Sequence, residues 1–176
     1  KREHKAPEYL AINPAGVVPA LVIDGKPLLE AAAITMHLAD AHPAAGLAPA
    51  PGSMERAAYY QWFFFMANTL QPAYRAWFYS GEVAGAQNAE AAKACARERI
   101  EAAWAQVEAH LLANGPFLLG DKLSAADFML TMLMRWSRNM PRPAHTWPTL
   151  AKHAATMKSR PAFKEVYARE GLSDWT

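Results

Sequence analysis

The run from Asn13 to Leu38, NPAGVVPALVIDGKPLLEAAAITMHL, concentrates the residues of this chain that could do chemistry. Pro19 lies inside a β-branched, apolar segment, Val17 to Ile23, whose composition otherwise predicts a strand buried on both faces. A proline cannot donate to a strand ladder, so it needs either an edge position or a cis peptide that re-aims the backbone. The second alternative leaves the N–H and C=O of Val18 unpaired and facing outward. Glu30 then opens a predicted helix running to about Asp40, with its carboxylate in the first turn, where the helix dipole favours negative charge. Free backbone groups beside a helix N-terminus can take up an extended peptide by strand addition and hold its carboxylate.

The flanking residues supply the elements that must position these groups. Asn13-Pro14-Ala15-Gly16 is turn chemistry, with proline fixing φ and glycine open to positive φ. Asp24-Gly25 between two apolar runs predicts a tight hairpin. Ala33, Ile34, His37 and Leu38 share one face of the following helix.

The pattern NP-x-G-x-VP-x-L-x-x-DG-x-x-L-x-E-x-x-AI-x-x-x-L resembles the glutathione-binding half of the cytosolic glutathione transferase fold, a variant of thioredoxin. That resemblance implies a cis Val18-Pro19 bond, pairing of the Val18 backbone with the cysteinyl part of glutathione, and a γ-glutamyl end held at Glu30. The family's serine after the glutamate is Ala31 here, which removes one donor to the ligand carboxylate. A thioredoxin-like domain begins with a βαβ unit of roughly 30 or more residues. In the family that unit carries the Tyr, Ser or Cys that activates the sulfur, so the catalytic group is unknown and expected upstream of Lys1.

Past the first helix, His42 to Ser53 (HPAAGLAPAPGS) reads as a linker. It separates residues 1 to 45, the C-terminal part of a thioredoxin-like glutathione-binding domain, from residues 53 to 176, an all-helical domain. Met54 to Ser80 carries Tyr59, Trp62, Phe63, Met66, Leu70 and Ala73 on one stripe, with Pro72 as a kink or break. Tyr60 and Phe64 form a second face, for a partner subunit, a pocket or the monomer's own interior. Gly81 to Asn88 reads as a loop, and Ala89 to Ala113 as a helix burying Ile100, Ala103, Trp104, Val107 and Leu111. Ser124 and Asp127 make a capping box for a central helix, with Leu123 and Phe128 as a staple. Leu-Ser-x-Ala-Asp-Phe after Gly-Asp also resembles the capping element of the transferase helical domain. Trp147-Pro148 and Arg160-Pro161 each start a further helix.

A hydrophobic fraction of 52% over 176 residues supports a sizeable core and excludes a disordered chain. The net charge of +2, with scattered basic residues, argues against nucleic acid as a partner. No apolar run approaches the roughly 20 residues of a membrane span, and no secretory leader is evident. The single cysteine, Cys95, fits a reducing cytoplasm and reads as a small buried hydrophobe. The 6 histidines show no His-x-x-x-His spacing, so no metal is expected. Arg135, Arg138 and Arg142 could meet an anionic ligand or compensate a helix end.

Tyr74, Trp77 and Trp136 are candidates for an apolar co-substrate pocket, or ordinary core aromatics. Taken together, the resemblance implies a bacterial-type cytosolic glutathione transferase: a homodimeric detoxification enzyme that conjugates or reduces electrophilic, hydrophobic molecules with glutathione. Its rival is a non-catalytic binding or assembly module of the same fold.

Overall fold

A computed structural model describes residues 2 to 175, and the chain divides into two units after Ala48. In the first unit, α1 (Pro7–Leu10) leads through the Asn13 turn to a two-stranded antiparallel sheet, β1 (Ala20–Ile23) and β2 (Lys26–Leu29). The register pairs Ala20 with Leu29 and Ile23 with Lys26, and Asp24 (φ 49°) with Gly25 (φ 76°) closes the hairpin. Both turn residues are left-handed, as a two-residue connection that follows the strand twist requires. The strand is shorter than its composition suggests. It starts after Pro19, since Val17 to Pro19 pair with no strand, and none of its residues is buried: Ala20 and Leu21 are half-buried, and Val22 and Ile23 are exposed.

Helix α2 (Ala31–Ala41) packs against both strands. Glu30 stands just outside it as the N-cap residue rather than within the first turn. Of the expected apolar face only Ile34 is buried, joined by Ala39, while Ala33, His37 and Leu38 are exposed. Four-residue strands cover one narrow stripe of a helix and no more.

The second unit is helical. Helix α3 (Met54–Phe65) begins at Ser53, whose Oγ accepts from the Arg56 N–H at 3.1 Å. The expected single helix is interrupted by a π turn, Met66–Leu70, in which the Gln71 N–H reaches the Met66 carbonyl, before α4 (Gln71–Phe78) resumes. Pro72 has no N–H and its ring crowds the preceding turn, so the wider turn just ahead of it relieves both problems. The stripe itself holds, because Tyr59, Trp62, Phe63, Met66, Leu70 and Ala73 are all buried. Where a loop is expected after Ser80, the chain forms α5 (Ser80–Ala84) and a 3-10 turn, Ala86–Asn88. These short turns pack on α6 (Ala89–Asn114), which buries the five predicted residues plus Ala96. Cys95 is exposed, contrary to expectation, because Ala96 and Ile100 occupy the inward stripe and leave position 95 on the solvent face.

Helix α7 (Ala125–Trp136) is the most deeply enclosed element, with eight buried residues from Ala125 to Met134. The carboxylate of Asp127 organises its start. It accepts from the Ser124 N–H and the Leu118 N–H, both at 2.9 Å, and from the Ser124 hydroxyl at 3.0 Å. Burial pushes this carboxyl up in pKa, opposed by those hydrogen bonds and by His153 nearby. Helices α8 (Pro148–Ser159) and α9 (Pro161–Arg169) begin at their prolines as the sequence predicts. Glu108 caps α8 across the unit by accepting from the N–H groups of Thr149 and Leu150, both at 2.8 Å.

Candidate functional site

The glutathione-site candidates gather on the first unit, and the surrounding residues explain their geometry. Asn13 is buried, and its side chain bonds in two directions: Oδ1 accepts from the Ala15 N–H at 3.1 Å, and Nδ2 donates to the Val17 carbonyl at 2.7 Å. Tyr9 donates its hydroxyl to that same carbonyl at 2.6 Å. The residue before Val18 is thus pinned by two side chains and not by strand pairing. Gly16 makes the turn possible at φ 58°, and a Cβ there would stand 2.9 Å from Leu10 Cδ2 and from Lys5 Nζ. Only glycine fits such a place without displacement.

The Val18-Pro19 peptide is cis. Val18 is 68% exposed, and its N–H and C=O make no hydrogen bond among the described residues. A buried strand residue would have both groups paired, so this backbone is available to an extended ligand. A surface cavity of about 670 Å³, lined by Glu3, His4, Tyr9, Ile12 and Val18 among others, borders the same residue.

Glu30 occupies φ 71°, ψ 115°, a conformation rare for a side-chain-bearing residue, and is exposed. Its carboxylate makes no capping bond to α2, although its carbonyl accepts from the Ile34 N–H at 2.9 Å. Backbone strain of this kind persists where the surroundings fix it, and it clusters at ligand sites. Ala31 begins the helix half-buried, and its carbonyl accepts from the Thr35 hydroxyl at 2.7 Å. The N–H groups of the first turn have no partner within the helix and carry its positive dipole end. An unpaired strand-like backbone and a helix N-terminus can together receive a peptide and one carboxylate.

The three aromatic candidates lie in the helical unit and are only partly brought together. Tyr74 and Trp136 meet edge to face with centroids 5.7 Å apart, whereas Trp77 carries the Lys93 ammonium 4.8 Å from its ring centre. Tyr74 is fully buried, and its hydroxyl accepts from Trp104 Nε1 at 3.3 Å. Desolvation holds that phenol protonated well above its ordinary range.

Arg135 and Arg138 share one carboxylate, Asp174, at 2.6 and 2.7 Å, while Arg142 lies 3.6 Å from the Trp147 ring centre. Among the described residues no cluster of metal-ligating side chains occurs, and no helix is long and apolar enough to cross a membrane. Sequence reasoning assigns Asn13 to turn chemistry alone. Its bond to Val17, shared with Tyr9, depends on the fold of the turn and leaves no separate signal in the sequence.

Comparison with known proteins identifies the family. Residues 1–40 match the family described as glutathione S-transferase, N-terminal domain, and residues 68–170 match glutathione S-transferase, C-terminal domain. A glutathione S-transferase of Xanthomonas campestris pv. campestris, GST-4.5, is 34% identical over 136 residues, covering 76% of this chain and 65% of that protein. The chain therefore spans slightly under two thirds of that relative's length. Among solved structures, the ternary complex of BphK, a bacterial GST, superposes with a TM-score of 0.87 at 33% identity, over 98% of this chain and 85% of the other. A sphingomonad glutathione S-transferase complexed with glutathione gives a TM-score of 0.82 at 31% identity, over 96% and 81%. A small N-terminal sheet unit followed by an all-helical unit, with family matches to both, makes the conclusion plain: the chain belongs to the glutathione S-transferase family.

Proposed function

We propose that this chain serves a bacterial-type cytosolic glutathione transferase, in which the glutathione thiolate conjugates or reduces an electrophilic, apolar substrate. The observation that carries the reading is the Val18 backbone, exposed, unpaired and braced from behind by Asn13 and Tyr9. Glutathione supplies what that surface lacks: an extended peptide whose cysteinyl N–H and C=O complement Val18, with a γ-glutamyl carboxylate for the start of α2. In this reading Val18, Pro19, Glu30 and Ala31 hold glutathione, within a thioredoxin-like domain contributed by residues 1 to 45. Residues 53 to 176 form the helical domain, where Tyr74, Trp77 and Trp136 bear on the electrophile. Protein hydrogen bonds would lower the thiol pKa and raise the thiolate fraction near neutral pH. We place the protein in the cytoplasm, where one unpaired cysteine survives reduced.

The same reading makes it a homodimer. Phe64 (61% exposed) and Tyr60 (38% exposed) lie on α3 opposite the buried stripe, an apolar face that a second copy would cover. Light scattering should give twice the chain mass at micromolar concentration, and a monomer there counts against this assembly.

The rival module reading has one observation in its favour, the missing hydroxyl at Ala31. Retention of the full-length protein on immobilised glutathione, followed by turnover of chlorodinitrobenzene, separates the two. Retention with turnover supports the transferase. Retention without turnover supports the module, and absence of both refutes glutathione as the ligand.

A further inference from the structure

We propose that Tyr9 is a positioning residue for glutathione, acting not on the ligand but through the peptide group that joins Val17 to Val18. The assignment rests on the glutathione reading of the first unit. The oxygen that Tyr9 holds and the N–H offered to the ligand belong to one rigid plane, since Val17 supplies its C=O and Val18 its N–H. This peptide is trans, so the C=O and the N–H point to opposite sides of the chain. Holding the oxygen from behind therefore aims the Val18 N–H outward.

Two donors converge on that oxygen, the Tyr9 hydroxyl at 2.6 Å and Asn13 Nδ2 at 2.7 Å, and a carbonyl has only two lone pairs to give. The Val17 carbonyl is thus closed to any ligand. An added strand can pair only with the N–H and C=O of Val18 itself, which fixes its register. Hydrogen bonds accepted by a carbonyl also polarise the whole peptide group and make its N–H a better donor. Orientation, register and donor strength at Val18 all depend on the same oxygen.

The two holders are not equivalent. Asn13 is 1% exposed and also accepts from the Ala15 N–H, so it builds the turn as well as gripping the carbonyl. The Tyr9 hydroxyl makes this one bond among the described residues, and its ring is half-buried in the wall of the cavity that borders Val18. The Tyr9 backbone is anchored separately, its carbonyl accepting from the N–H groups of Ile12 and Asn13 at 2.9 and 2.8 Å. The hydroxyl is therefore the part of the clamp that can be removed without unmaking the turn.

The test is Tyr9→Phe in the full-length protein, which deletes the hydroxyl and keeps the ring. Without ligand, the NMR signals of the Val17 carbonyl carbon and the Val18 amide nitrogen should move upfield as their peptide loses polarisation. Those of the Ala15 and Gly16 amides, which Asn13 holds, should stay in place. In calorimetric titration the glutathione dissociation constant should rise about two-fold or more, with about ten-fold, the loss of the whole bond at the Val18 N–H, as the ceiling. A glutathione analogue with a methylene in place of the cysteinyl carbonyl cannot accept from that N–H, so the substitution should leave its weaker binding unchanged. A hydroxyl that merely stabilised the fold would affect both ligands alike. Given glutathione binding by the unsubstituted protein, unmoved Val17 and Val18 signals, an unchanged dissociation constant, or equal losses for glutathione and the analogue would each overturn the role of Tyr9 alone. Absence of saturable glutathione binding by the unsubstituted protein would overturn the glutathione reading and this role with it.

Discussion

Replacing Ala31 with serine tests how the first unit holds a carboxylate. Helix α2 starts at this residue, directly after Glu30 at φ 71°, so a hydroxyl here would sit at the positive end of the helix among unpaired N–H groups. A hydrogen bond to a charged carboxylate contributes about 1.5 to 3 kcal/mol. At 1.4 kcal/mol per decade, the glutathione dissociation constant should fall roughly ten- to a hundred-fold. The substitution leaves the other contacts intact, since the Thr35 hydroxyl bonds the backbone carbonyl of residue 31 and not its side chain. Serine is the poorer helix former, by roughly 0.5 kcal/mol in a helix interior and less in the first turn. Stability and affinity therefore move in opposite directions, which separates a ligand contact from general tightening. Calorimetric titration of both proteins reads the change, with cysteinylglycine as the control because it lacks the γ-glutamyl end. Equal dissociation constants for glutathione, or an equal gain for the dipeptide, would refute the placement of the γ-glutamyl carboxylate at α2.

Three other expectations follow from the packing. Gly16→Ala puts a methyl group 3.0 Å from the His4 carbonyl oxygen and a side chain at φ 58°; it should cost about 1 to 3 kcal/mol in urea denaturation and weaken glutathione binding, and an unchanged midpoint would be inconsistent with the turn described. Asp127→Ala strands the N–H groups of Leu118 and Ser124 and should destabilise the helical unit by about 3 kcal/mol, whereas a loss under about 1 kcal/mol would show that the box is dispensable. The hydrogen bond from Arg135 holds the Asp174 carboxyl below its ordinary 3.8. A lowered folded pKa means the pair stabilises above the unfolded value and is lost as pH falls through the folded one. Asp174→Asn should thus lower the denaturation midpoint near about pH 7 and have little effect near about pH 2; a deficit of the same size at both would exclude this linkage.

Legibility in the sequence followed the range of the interactions. The capping box at Ser124, the proline starts of α8 and α9 and the hairpin at Asp24-Gly25 were readable because each is decided within a few residues. The buried stripe of α3 was readable because helical periodicity carries it. The exposed face of α2 was not, since a periodic pattern states which residues align and not whether enough partner surface exists to cover them. Cys95 failed for a related reason: a small residue flanked by alanines fits either face of a helix, and the larger Ile100 and Trp104 decided the orientation. At the glutathione site the residue types were plain. The bracing of Val17 by Tyr9 and Asn13, and the conformation of Glu30, appear only once the turn is folded.

The hydrogen bonds of Asp127 have a kinetic consequence. Its acceptors serve Ser124, three residues away, and Leu118, nine residues away, so closing these contacts sacrifices little chain entropy. The loop from Leu118 and the first turn of α7 can therefore assemble before distant helices arrive, presenting the apolar run of α7 as a surface on which they condense. An early element of this kind carries its interactions into the folding transition state. Substitutions at Asp127 should then slow refolding while leaving unfolding nearly unchanged, and those in the later-docking α9 should do the reverse.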